Sequence, residues 1–199
     1  MNTDRNEENP CGSVSSVFVR VPRSSRVTQM PLEMRIEVRA EGDLTEEERK
    51  QLSWPWDVPE RDFEWSEPDW CVLVWADGQV VSQLAIAERT CLVAGQPVKV
   101  GGVGNVIALP AWRGRGFTSR AMGRAAEFMC RELGVEFGLL VCEEDVVAFY
   151  ERLGWQVVEG PLTFDQPGGK ATWPAVAMVL PGGGREWPEG VIDLCGRPW

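Results

Sequence analysis

Apolar and polar residues alternate along MRIEVRA, residues 34–40, as on a strand with one covered face. Thr45 and Glu48 then have the spacing of a capping box, which predicts a short helix in TEEERKQL. CVLVWADGQVVSQLAIA predicts a hairpin turning at Asp77-Gly78. A second strand pair turns near Ala94-Gly95. Its later member, VKVGGVGNVIALP, is interrupted by Gly101, Gly102 and Gly104, which predicts a bulge or a close backbone approach. From Thr118 the period changes to that of a helix. Ala121, Met122, Ala125, Met129 and Leu133 fall on one face, and Gly134 is placed to end it. FGLLVC reads as a buried strand, residues 145–153 as a second helix closed by Gly154, and WQVV and WPAVAMVL as the last strands. The tail REWPEGVIDLCGRPW is irregular. This order predicts one α/β layered domain around a mixed sheet, over residues 33–199.

Residues 1–32 are polar with little periodicity and read as a mobile extension. They lack the apolar run of a signal peptide, and no apolar run reaches the roughly 18 residues of a membrane helix. The expected location is cytoplasmic. The chain has 199 residues, 44% of them hydrophobic, and a formal net charge of −10. Such a charge disfavours nucleic acid and anionic membranes as partners and favours a cationic ligand. There is no histidine, which excludes Ser/His and Cys/His catalysis and most zinc sites. Six cysteines, at 11, 71, 91, 130, 142 and 195, form no Cys-x-x-Cys pair and read as free thiols, those at 71, 91 and 142 lying in apolar runs.

Residues 54–70 fit neither period. They hold four Trp, three Pro and six acids against one Arg. Two readings stand: a solvated loop pinned by its tryptophans, or an acidic, aromatic wall for a cation.

The chemistry concentrates at LPAWRGRGFTSRAM, residues 109–122, where a strand hands over to a helix. Gly114 and Gly116 can take positive φ and let the backbone approach a ligand. The first amides of a helix have no internal partner and carry partial positive charge, and Arg113 and Arg115 add to it. A phosphate or pyrophosphate fits such a junction; the alternative is a tight turn with solvated arginines. The stretch lacks Gly-Lys-Ser/Thr and a full Gly-x-Gly-x-x-Gly, so neither a triphosphate loop nor a dinucleotide fingerprint is present.

Beyond the next predicted strand comes VCEEDVVAFYERLGW, with Tyr150, the single tyrosine. The strand, RGRGFT, helix, strand and AFYERLGW together resemble the GNAT superfamily of acyl-CoA-dependent N-acetyltransferases, closely over residues 98–158. The resemblance implies a mostly antiparallel central sheet splayed around the cofactor and flanked by helices, with acetyl-CoA as co-substrate and no metal. It implies that Val106, Ile107 and Ala108 pair with the pantetheine arm. It implies that Arg113, Gly114, Arg115, Gly116, Phe117, Thr118 and Ser119 form the pyrophosphate loop. Tyr150 matches the acid that reprotonates the leaving thiolate; the alternative is a packing tyrosine. Two departures stand out. Thr118 occupies a position where the family prefers Gly or Ala, so its hydroxyl either bonds a phosphate or crowds the turn. Glu143 replaces a frequent asparagine. The glutamate that many members carry on the glycine-bearing strand is missing near Gly104 and Asn105, leaving Glu143, Glu144 or ordered water as base.

The tail VIDLCGRPW and LGWQVVEGPLTF are similar to the aminoglycoside 2′-N-acetyltransferase group. An acidic wall with tryptophan faces, supplemented by Asp193 and the carboxylate of Trp199, suits such polycations, with Asp62 and Glu64 as wall residues. The tail reads alternatively as a strap over the sheet. The leading expectation is therefore acetylation of a small cationic amine. A protein or peptide amine is the second reading, and a silent acyl-CoA-binding module the third. A homodimer is compatible with all three.

Overall fold

The computed structural model describes residues 33–52, 63–182 and 184–199; the proposed extension, residues 1–32, and the first part of the acidic loop, with Asp62, lie outside them. The alternating segment forms strand β1, Met34–Ala40. Helix α1, Glu46–Leu52, opens on the predicted box: the Glu48 amide donates to Thr45 Oγ1 at 3.2 Å, and the Thr45 amide to Glu48 Oε2 at 2.8 Å.

Strands β2 (Trp70–Ala76), β3 (Gln79–Val93) and β4 (Gln96–Ala108) follow as a meander. Both hairpins turn through two residues in the left-handed region: Asp77 (φ 49°) and Gly78 (φ 78°), then Ala94 (φ 48°) and Gly95 (φ 79°). Helix α2, Phe117–Arg131, leads to β5, Phe137–Cys142. α2 stops short of Gly134 and leaves Leu133 outside the last turn, because the helix is capped at Glu132. The second predicted helix divides into a 3-10 turn, Glu144–Val146, and α3, Val147–Glu151. Strands β6 (Gln156–Val157), β7 (Leu162–Gln166), β8 (Gly169–Thr172), β9 (Val176–Pro181) and β10 (Ile192–Asp193) complete the chain.

The sheet runs β6-β9-β5-β4-β3-β10-β7-β8, with β2 on the first half of β3 and β1 beyond it. Strand β3 is long enough to hold two partners on one edge: β2 along residues 79–86, and β10 at Leu92 and Val93. Its β2-paired half is buried on both faces. On one face α2 seals a core that includes Val72, Val74, Leu84, Ile86, Met122 and Met129. On the other face, Val98, Val100, Phe137, Leu139, Phe164 and Ile192 form a second core, closed by the tail. The β7–β8 hairpin and β10 went unread in the sequence. The hairpin's signal was the Pro167-Gly168-Gly169 turn between LTFDQ and KAT.

Candidate functional site

The site begins where two strands part. β4 and β5 run parallel for three pairs only, Val100 with Phe137, Gly101 with Gly138 and Gly102 with Leu139. Beyond Gly102, β4 continues to Ala108 and β5 to Cys142 with no ladder between them. Just past the split β4 bulges. Gln83 pairs with Ile107 and Ala85 with Gly104, so β4 advances three residues while β3 advances two. Asn105 takes the strain, at φ 50°. Val106, Ile107 and Ala108 thus form the half-buried, unpaired edge that faces the gap.

The chain then makes a 3-10 turn, Pro110–Trp112, and enters the glycine loop. Gly114 and Gly116 have φ of 74° and 79°, and Gly116 is the N-cap of α2. A Cβ at either would meet nothing within 4 Å, so their backbone is open to a ligand. The first bond inside α2 runs from the Arg120 amide to the Gly116 carbonyl, leaving the preceding amides available. The loop is pinned from behind. The Arg115 guanidinium lies 4.8 Å from the Trp112 ring, Trp112 meets buried Phe117 edge-on, and Arg113 Nε donates to the Ala108 carbonyl at 3.2 Å. Ser119 is half-buried in the first turn. Thr118 Oγ1 lies 3.2 Å from Ser82 Oγ, and Ser82 Oγ donates to the Ile107 carbonyl at 2.7 Å.

Tyr150 sits on α3 at 8% exposure, edge-on to Phe149 and Trp155. Burial, then the nearby Cys142 thiol, pushes its phenol up to about 12. Cys142, at the end of β5, is itself raised to about 11 by burial and by Glu143 and Asp145. Both groups are protonated at neutral pH.

The opposite face carries the tail. A Cβ on Gly101 would overlap Met129 of α2, whereas one on Gly102 would overlap the Trp199 indole. Trp199 therefore lies on the face away from α2, and its main-chain carbonyl group stands against Gly104. The tail is clamped there by polar bonds. The Ser66 amide and hydroxyl both donate to the Pro198 carbonyl, at 2.7 and 3.1 Å. Arg89 donates to the Arg197 carbonyl and to Ser66 Oγ. Arg197 pairs with Glu64 at 2.5 Å. Asp193 pairs with Lys170 at 2.7 Å and accepts the Cys195 amide at 3.0 Å. Burial raises the Asp193 carboxyl, but the Lys170 and Cys195 bonds outweigh it and hold it below its ordinary value. Glu64 and Asp193 each already face a cation. On the same side a cavity of about 190 Å³ is walled by Glu41, Arg49, Cys71, Gln83 and Asn105.

Comparison with known proteins bears on this arrangement. No curated protein matches the chain. Among solved structures, Escherichia coli YhbS, a GNAT family N-acetyltransferase in complex with CoA, is similar at 16% identity and a TM-score of 0.55, over 84% of this chain and 93% of that one. A GNAT family acetyltransferase from Brucella melitensis in complex with acetyl-CoA is similar at 17% identity and a TM-score of 0.51, over 79% and 94%. Escherichia coli ElaA is similar at 15% identity and a TM-score of 0.52, over 74% and 99%. At these identities the likeness is one of fold. The profile of the acetyltransferase (GNAT) domain matches residues 45–158, more than half of the chain and spanning the split strands, the glycine loop and Tyr150. By that match the chain belongs to the GNAT family of acetyltransferases.

Proposed function

We propose that the protein transfers the acetyl group of acetyl-CoA to a primary amine of a small cationic acceptor, aminoglycoside-like compounds being the leading class. The observation that carries the donor half is the split between β4 and β5, with an open, positive-φ glycine loop at its far end. In this reading residues 114–119 hold the pyrophosphate with backbone amides, Arg113 and Arg115 supply positive potential, and the 106–108 edge aligns the pantetheine arm. Two of the similar structures carry CoA or acetyl-CoA, which supports the same donor here.

Tyr150 serves the leaving sulfur. With its phenol near 12 and a free thiol near 8.5, full transfer to a thiolate runs uphill by about 5 kcal/mol. Its first role is therefore a hydrogen bond that strengthens as charge grows on sulfur, with the proton following as the amine loses its own.

The acceptor half rests on the face that carries Trp199. The main-chain carbonyl of Trp199, at Gly104, stands near the position where the strand glutamate is missing, and is the proposed hydrogen-bond acceptor for the acceptor ammonium. Glu64 and Asp193 contribute potential around it, damped by Arg197 and Lys170. The adjoining cavity offers the Asn105 amide to a hydroxylated acceptor. Acetylation of a protein amine, or acyl-CoA binding without turnover, are the other readings. Acetyl-CoA turnover against a panel of aminoglycosides, polyamines and peptides separates them. Turnover confined to peptides overturns the small-acceptor reading, and none with any amine favours the silent module.

A further inference from the structure

Among the described residues Ser82 carries the one buried aliphatic hydroxyl, at 2% exposure. Its hydroxyl has a single hydrogen, and that donates to the Ile107 carbonyl at 2.7 Å. The contact of 3.2 Å with Thr118 Oγ1 then has Thr118 as the donor. The result is a directed relay: Thr118 hydroxyl to Ser82 hydroxyl to Ile107 carbonyl. It joins the first turn of α2 to the bulged end of β4 through β3. An aliphatic core at this place would need no such bonds, and a buried hydroxyl left unsatisfied would be destabilising.

The relay has a geometrical consequence. In a trans peptide the carbonyl and the next amide point in opposite directions, and the chain has no cis peptide among the described residues. Turning the Ile107 carbonyl toward Ser82 turns the Ala108 N–H away from β3, toward the edge that β5 leaves open. The Thr118 hydroxyl points inward to Ser82, so this threonine does not crowd the glycine turn.

We propose that Ser82 and Thr118 are positioning residues for the donor, locking the pantetheine-aligning edge of β4 and the phosphate-receiving end of α2 at one spacing. This rests on residues 114–119 receiving the pyrophosphate, as proposed above. A donor spanning both places gains from the lock; a fragment occupying one place does not.

The test compares three probes by competition binding: CoA, 3′,5′-ADP and pantetheine. Ser82→Ala and Thr118→Val are each expected to weaken CoA about tenfold while changing either fragment by less than about twofold. The double variant is expected to match the single ones, since the relay is broken once in each. Thr118→Ser, which keeps the hydroxyl, is expected to recover CoA affinity. CoA affinity unchanged while only the melting temperature falls would overturn the proposal in favour of packing alone. A tenfold loss of 3′,5′-ADP would overturn it in favour of a direct phosphate contact, and an equal loss of pantetheine in favour of local damage to β4. Gly116→Val serves as the separate check. If it leaves CoA binding intact, the phosphate loop itself is misassigned. If it weakens CoA while Thr118→Val does not, the loop stands and the relay fails.

Discussion

The indole of Trp199 lies against Gly102, the last residue of β4 that pairs with β5, where a Cβ would overlap the ring. One side chain at position 102 would therefore displace the tail from the proposed acceptor face. Gly102→Val is expected to raise the Michaelis constant for the amine several-fold and to change that for acetyl-CoA less. Steady-state kinetics with each substrate varied in turn checks this.

Gly116→Val tests the donor loop. The position has φ 79° and open space at the missing Cβ, so a valine meets backbone strain and also covers the amides. CoA affinity is expected to fall at least tenfold, about 1.4 kcal/mol, by calorimetry. Equal affinity would count against the cradle. A parallel melting curve separates the strain from the lost contact.

Tyr150→Phe is expected to lower turnover by roughly 10²-fold with little change in cofactor affinity. The ring keeps its edge contacts with Phe149 and Trp155, so the fold should tolerate the change. An unchanged turnover number would reduce Tyr150 to a packing residue.

The same tyrosine makes a prediction about alkaline stability. Its phenol titrates near 10.0 when exposed and near 12 in the fold. Between those values the unfolded chain has lost the proton that the native chain keeps. Stability is therefore fully present below pH 10 and falls as pH rises toward 12, by about 3 kcal/mol from this group. Buried Cys91, raised to about 12 by burial, adds a loss in the same direction that starts near pH 9. Denaturant titrations at pH 9 and pH 11.5 are expected to show a smaller loss in Tyr150→Phe than in the parent.

Ionic strength tests the cationic acceptor. Exposed ion pairs contribute about 0.2–1 kcal/mol each and are screened by salt. The Michaelis constant for a polycationic amine is expected to rise with salt more than that for acetyl-CoA. Deleting residues 193–199 is too blunt a companion test, because the Leu194 amide bonds Thr163 and the Asp165 amide bonds Gly196. Glu64→Gln, which removes the acid paired with Arg197 and leaves the main-chain bonds of the tail in place, is the sharper experiment. Unchanged amine kinetics in both experiments would remove the acidic residues of this face from the acceptor site.

What the sequence determined by itself is local. The Thr45–Glu48 box, the turns at Asp77-Gly78 and Ala94-Gly95, strands β1 and β5 and the glycine loop are set by residues within a few positions of one another. Propensity, capping and φ preference act over that range, so the pattern carries them. The motifs proposed to hold the donor were legible for the same reason, since a strand, a glycine turn and a helix are consecutive. Tertiary structure decided what joins distant segments. The split depends on how far β4 and β5 remain paired, and the bulge at Asn105 on register against β3. Placement of the tail depends on Gly102 leaving room for an indole 97 positions later, and on Ser66 and Arg89 bonding the chain before it. Ser82 read as one more residue of a strand until α2 brought Thr118 beside it, 36 positions away. Burial and hydrogen-bond satisfaction select such partners only after the layers have packed, and no periodicity along the chain encodes them.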